Sequence, residues 1–106
     1  MGIRIWLDDV RPMPEGFDVW CKTAEHALSV IAVTKTDYIS FDHDLGTELT
    51  GYDVAKWIEE RVFSGWNLYM EYDIHSANPV GRKNIEMAMK SAERFWKMQE
   101  EGTNEI

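Results

Sequence analysis

Tyr38-Ile39-Ser40-Phe41-Asp42-His43-Asp44-Leu45-Gly46 decides how this chain folds. A short run suited to a pleated strand ends abruptly in acid, imidazole and glycine. Working outward, the same pattern recurs on both sides. Upstream, Ile3-Arg4-Ile5-Trp6-Leu7 reads as a strand stopped by Asp8-Asp9. Downstream, Leu68-Tyr69-Met70-Glu71-Tyr72-Asp73-Ile74 reads as a strand stopped by His75-Ser76-Ala77-Asn78. A shorter strand, Asp18-Val19-Trp20-Cys21-Lys22, follows a loop marked by Pro12, Pro14 and Gly16. Helices fill the gaps. Thr23 caps the first, which sets Ala24, Ala27, Leu28 and Ile31 on one face and Glu25 in its first turn; the stretch 33–36 suits a helix end or a strand start. Thr50 with Asp53 resembles a capping box, and Val54, Ile58 and Val62 stripe a second helix that stops near Gly65. Asn78 caps the third, Pro79 takes its first position, and Ile85, Ala88, Ala92 and Phe95 or Trp96 form its apolar stripe. Strand and helix in alternation predict crossover units and a mainly parallel sheet, an α/β fold.

With 106 residues, 44% apolar and 28% charged, the chain has the composition of one globular domain, expected over residues 1–98. The polar stretch 99–106, with Gly102, is expected to fray. No apolar stretch is long enough to span a bilayer, and the first residues lack the pattern of a signal peptide. One cysteine, Cys21, makes no internal disulfide. A cytoplasmic protein is expected. The net charge of −8 repels a polyanion at long range and argues against sequence-independent duplex binding. It leaves room for a small phosphorylated ligand, because a divalent cation held by carboxylates inverts the local sign. No protein partner is legible.

The chemistry collects where strands end. In an open parallel sheet the C-terminal strand ends share one edge, and ligands bind in the crevice there. That topology draws Asp8, Asp9, Asp42, Asp44, His43 and His75 together from distant parts of the chain. Carboxylates crowded on one edge raise each other's pKa unless a cation sits among them, and hard oxygen ligands suit Mg²⁺, Mn²⁺ or Ca²⁺. Alternatively, single members cap turns. His43 and His75 suit proton transfer near neutral pH, or a structural bond to a loop. Asn78, Gly81 and Arg82 open the third helix, where free N–H groups favour an anion, and Arg82 and Lys83 oppose the helix dipole unless they face one. Arg11 either clamps a phosphate or neutralises Asp8 and Asp9. An EF-hand reading of Asp42, Asp44 and Gly46 fails, since Thr47 stands at the glycine position and Asp53 replaces the usual Glu.

Four motifs taken together resemble the cyclic-phosphate processing receiver-like family, a divergent branch of the response-regulator receiver fold. They are Asp8-Asp9-x-Arg11-x-x-Pro14, Phe41-Asp42-His43-Asp44-Leu45-Gly46, Thr50-Gly51-Tyr52-Asp53 and His75-Ser76-x-Asn78-Pro79-x-Gly81. The resemblance covers about residues 3–96. It implies a flavodoxin-like, three-layer sandwich with a four-stranded sheet ordered 2-1-3-4 and helices on both faces. It also implies a divalent metal, Mg²⁺ or Mn²⁺, on Asp8, Asp9 and Asp42, with Ser76 at the position of the receivers' Ser/Thr after the fourth strand. The chain departs from ordinary receivers in lacking a fifth strand and the lysine that follows it.

Two functions are compatible with this reading. The first is metal-dependent opening of a cyclic phosphate (an RNA 2′,3′-cyclic end or a cyclic nucleotide, as the resemblance implies), with His75 as acid, His43 or Asp44 as base, and Arg11, Ser76, Asn78, Gly81 and Arg82 around the phosphate. Of the two histidines, His75 is expected to matter more, because strand alternation turns His43 away from Asp42 and Asp44. The second is a non-catalytic receiver-like module that binds a phosphorylated ligand or a protein partner.

Overall fold

The computed structural model describes the backbone of residues 2–104 and side chains through residue 99. The elements run β1 (Ile3–Leu7), β2 (Val19–Cys21), α1 (Ala24–Val33), β3 (Thr36–Phe41), α2 (Gly51–Phe63), β4 (Glu71–Ile74) and α3 (Pro79–Asn104). All strand pairs are parallel, and the sheet order is β2-β1-β3-β4. The expected α/β class and strand order are both present. The ambiguous stretch 33–36 divides, with the helix ending at Val33 and Thr36 buried as the first residue of β3. β4 is shorter than its composition suggests: only from Glu71, paired with Tyr38, does the chain run beside β3.

Local signals set the helix ends. The Thr23 hydroxyl accepts from the His26 amide, which starts α1. The Asp53 carboxylate accepts from the Thr50 amide at 2.7 Å and from its hydroxyl at 3.1 Å, so Asp serves where Glu or Gln is usual in a capping box. α2 closes when Gly65 takes φ 97°, with Gly65 N bonded to Val62 O and Trp66 N to Arg61 O, the paired bonds of a Schellman end. α3 runs past Trp96 to Asn104, into the stretch 99–106 that the composition marks as a tail; residues 105 and 106 lie outside the described residues. Ion pairs one turn apart, Glu86–Lys90 at 2.8 Å and Glu93–Lys97 at 3.3 Å, support that extension, and Gly102 alone does not stop a helix.

The layering differs from the three-layer expectation. Ile5, Leu7, Ile39 and Phe41, which face one side of the sheet, share a single core with α1, α2 and α3. Each such side chain, fully buried, stabilises the fold by about 1.5–3 kcal/mol. Arg4, Trp6, Tyr38 and Ser40 alternate to the other side and lie outside that core. The helices therefore pack on one face, and the protein has two layers. Right-handed crossover explains this: β2 to β3 and β3 to β4 move the same way across the sheet, so α1 and α2 fall on the same side. Only the connection from β1 to β2 runs the other way, and with Pro12, Pro14 and Gly16 it is a loop rather than a helix. Its Phe17 packs edge-on to Trp6, with ring centroids 5.2 Å apart. Among the described residues, no helix is long and apolar enough to cross a membrane.

Candidate functional site

The C-terminal ends of β1 and β3 bring three carboxylates together. Asp8, Asp9 and Asp42 each offer an oxygen, and these oxygens lie within 4.8 Å of one another. No Lys or Arg pairs with them among the described residues. Asp9 has no hydrogen-bond partner there either, and Asp42 uses one oxygen to accept from the His43 amide at 2.8 Å. The donor set fits a hard divalent cation.

Asp8 is built into the fold, with 1% exposure. Its Oδ1 accepts from the amides of Val10 and Arg11, both at 2.8 Å. Its Oδ2 lies 2.9 Å from His75 Nε2, and its backbone carbonyl accepts from the Trp20 indole at 2.6 Å. Burial pushes the Asp8 carboxyl up, but the Arg11 and Val10 amides and His75 outweigh it and hold the group below its ordinary value. His75 is half-buried beside it, with 15% of its side chain exposed. Its Nδ1 sits 2.7 Å from Ser40 Oγ, and its ring stacks on Trp6 at 3.9 Å and 6°. Both ring nitrogens are thus engaged inside the protein.

His43 does not turn away from its neighbour as strand alternation suggests. The strand ends at Phe41, and the loop swings His43 Nδ1 to 3.1 Å from Asp44 Oδ1. Asn78 closes the group: its Nδ2 donates to Asp44 Oδ2 at 3.3 Å, while its Oδ1 caps α3 by accepting from Gly81 N at 3.0 Å. The His43 imidazole, then the Asn78 amide, hold the exposed Asp44 carboxyl below the usual range. His43 Nε2 has no partner among the described residues. Gly81 makes room for the ring, since a Cβ there would run into His43 Cγ and lie 2.6 Å from Cδ2.

The expected phosphate ligands are largely occupied within the fold. Arg11 donates through Nη1 to the carbonyl of His75 at 2.7 Å rather than pairing with Asp8 or Asp9. Arg82 donates to the carbonyls of Ile74 and Ser76 at 2.8 and 3.1 Å. Both arginines brace the end of β4 and keep further N–H donors. The Ser76 hydroxyl, buried, accepts from Asn78 N at 3.1 Å. At the start of α3, Pro79 has no N–H, Gly81 is capped by Asn78, and Arg82 N bonds to Asn78 O, so the helix terminus is mostly satisfied. Lys83 is exposed on the next turn. A cavity of about 680 Å³, lined by Arg4, Tyr38 and Glu71 among others, lies at the opposite sheet edge, far from the carboxylates.

Sequence reading missed Ser40, Trp6 and Trp20. A polar residue inside an otherwise apolar strand was the available signal for Ser40, because a buried hydroxyl requires a partner. Trp6 carried none, being indistinguishable from a core aromatic before the faces were known.

A family model described as the cyclic-phosphate processing receiver domain matches residues 3–91. No curated protein and no solved structure matches the chain.

Proposed function

The chain belongs to the cyclic-phosphate processing receiver family, and from that premise we propose that it opens cyclic phosphodiesters with the help of a divalent cation. RNA 2′,3′-cyclic ends or cyclic nucleotides are the substrate class. One observation carries this reading: three carboxylates with no Lys or Arg partner among the described residues stand at the sheet edge that also holds an imidazole–carboxylate pair. Asp8, Asp9 and Asp42 would hold Mg²⁺ or Mn²⁺, which supplies neutralisation of phosphate charge and a bound water of lowered pKa.

The protein's own groups then divide the proton work. Asp44 accepts from His43 Nδ1–H and leaves Nε2 as a bare acceptor, the arrangement a general base needs. His43 takes a proton from the attacking water as its oxygen bonds to phosphorus, and the proton passes to the ribose oxygen as the ring P–O bond breaks. The product is a phosphomonoester. His75, expected from sequence as the acid, has both nitrogens engaged by Asp8 and Ser40, so the proton-transfer role falls to His43. The free N–H groups of Arg11 and Arg82 flank the β4 end and suit phosphate oxygens.

The test is incubation of the purified protein with nucleoside 2′,3′-cyclic monophosphates, cyclic dinucleotides and RNA bearing a 2′,3′-cyclic end, in Mg²⁺ or Mn²⁺. Turnover that disappears on chelation is expected. No product from any of them in either metal overturns the catalytic reading; a ligand-induced rise in Tm without product would make the domain a binding module instead.

A further inference from the structure

Ser40 lies on β3, on the face away from the helices, with 3% exposure. Its hydroxyl contacts one group among the described residues, His75 Nδ1 at 2.7 Å. The other ring nitrogen, Nε2, reaches Asp8 Oδ2 at 2.9 Å. A carboxylate only accepts, so Nε2 carries the hydrogen, and in the neutral ring Nδ1 is the bare nitrogen. The serine hydroxyl then donates to Nδ1. Every link has one direction: Ser40 Oγ–H to Nδ1, and Nε2–H to Asp8. Trp6 stacks flat on the imidazole, and its own indole is fixed by donation to Arg11 O at 2.9 Å. The ring can neither tilt nor flip without breaking both bonds.

We propose that Ser40 is a positioning residue: through the orientation of the His75 ring it holds the Asp8 carboxylate in the one rotamer that faces Asp9 and Asp42. With Oδ1 held by the Val10 and Arg11 amides and one side of Oδ2 held by His75, Asp8 keeps a single open direction, toward the other two carboxylates. Partners of this kind, which touch a ligand group and not the ligand, typically change metal affinity by about 10–100-fold when removed. The inference deepens the cation reading given above and concerns positions that act before any substrate binds.

Long-range ¹⁵N NMR of histidine-labelled protein at a pH where the imidazoles are neutral reads the tautomer directly, without metal or substrate. The wild type is expected to show His75 protonated on Nε2. In Ser40→Ala the Asp8 carboxylate still imposes the Nε2–H form, so that variant is expected to keep the tautomer but show exchange broadening of the now one-sided ring, and Ser40→Thr, which restores a hydroxyl, the wild-type pattern. In Mn²⁺ titrations Ser40→Ala should bind about 10-fold more weakly and Ser40→Thr near normally, with each variant's circular dichroism unchanged. A His75 protonated on Nδ1 in the wild type overturns the proposal. So does Ser40→Ala whose His75 ring signals stay as sharp as in the wild type or which, where the wild type binds Mn²⁺, keeps the wild-type affinity. Failure of the wild type to bind Mn²⁺ would sink the cation reading alone, and the NMR comparison would then decide the clamp by itself.

Discussion

Replacing Gly81 by Ala tests the placement of His43 with the smallest possible perturbation. A Cβ at position 81 would run into His43 Cγ and sit 2.6 Å from Cδ2 and 2.7 Å from Cβ of that ring, where ordinary contact begins near 3.4 Å. The imidazole must therefore move by about 1 Å from position 81, which disturbs its contact with Asp44. Two opposing terms set the stability. Gly81 is in the first turn of α3 with ordinary helical backbone, so Ala gains about 0.5–1 kcal/mol of helix preference. Overpacking a filled site costs about 1–3 kcal/mol. The net loss is at most about 2.5 kcal/mol, and the domain should stay folded with a Tm lowered by at most roughly 10–20 °C. Turnover should suffer far more, because a displacement of about 1 Å in a catalytic group costs on the order of 10²-fold. Initial rates on a 2′,3′-cyclic nucleotide, measured well below the Tm with His43 followed by NMR, make the comparison. Near-normal turnover with a visibly displaced His43 ring would refute the assignment of that side chain.

Other expectations follow from the same geometry. His43→Gln should lose about 10²–10⁴-fold in rate with little change in Tm, which single-turnover assays and thermal melts together would check. The Asp8 carboxyl titrates below its unfolded value of 3.8, so its contribution to stability is complete above about pH 4 and is lost as pH falls through the folded value. In metal-free buffer, urea midpoints between pH 5 and pH 2 should fall less steeply for Asp8→Asn than for wild type. The Cys21 thiol is fully buried and pushed up to about 11 by burial. Iodoacetamide at pH 8 should leave the native protein unlabelled and modify it rapidly in urea, and fast native labelling would contradict the packing of β2.

Much of this architecture was legible residue by residue. The apolar runs 3–7 and 38–41, each stopped by acid, give β1 and β3, because backbone period and side-chain hydrophobicity are local properties. Thr23, Thr50, Asn78 and Pro79 mark helix starts for the same reason, since capping involves only neighbouring groups. The meeting of Asp8, Asp9 and Asp42 was also readable, because parallel strands must end on one edge. The length of β4 was not, since Leu68, Tyr69 and Met70 have strand character but no β3 residue beside them.

What sequence by itself determined, then, is which residues gather at the sheet edge; what only the tertiary structure decided is which of them face each other there. His43 and His75 are alike in sequence, each following a strand and flanked by polar residues. Their difference comes from the opposite faces of the sheet. Ser40 and Trp6, on strands distant in sequence, enclose His75 on the helix-free face, while Gly81 of α3 leaves His43 a slot beside Asp44. The helices crowd one face because two crossovers of the same hand run in the same direction, and handedness is a property of connected strands in space. Orientation of a side chain depends on contacts made across the sheet, and no local pattern encodes those.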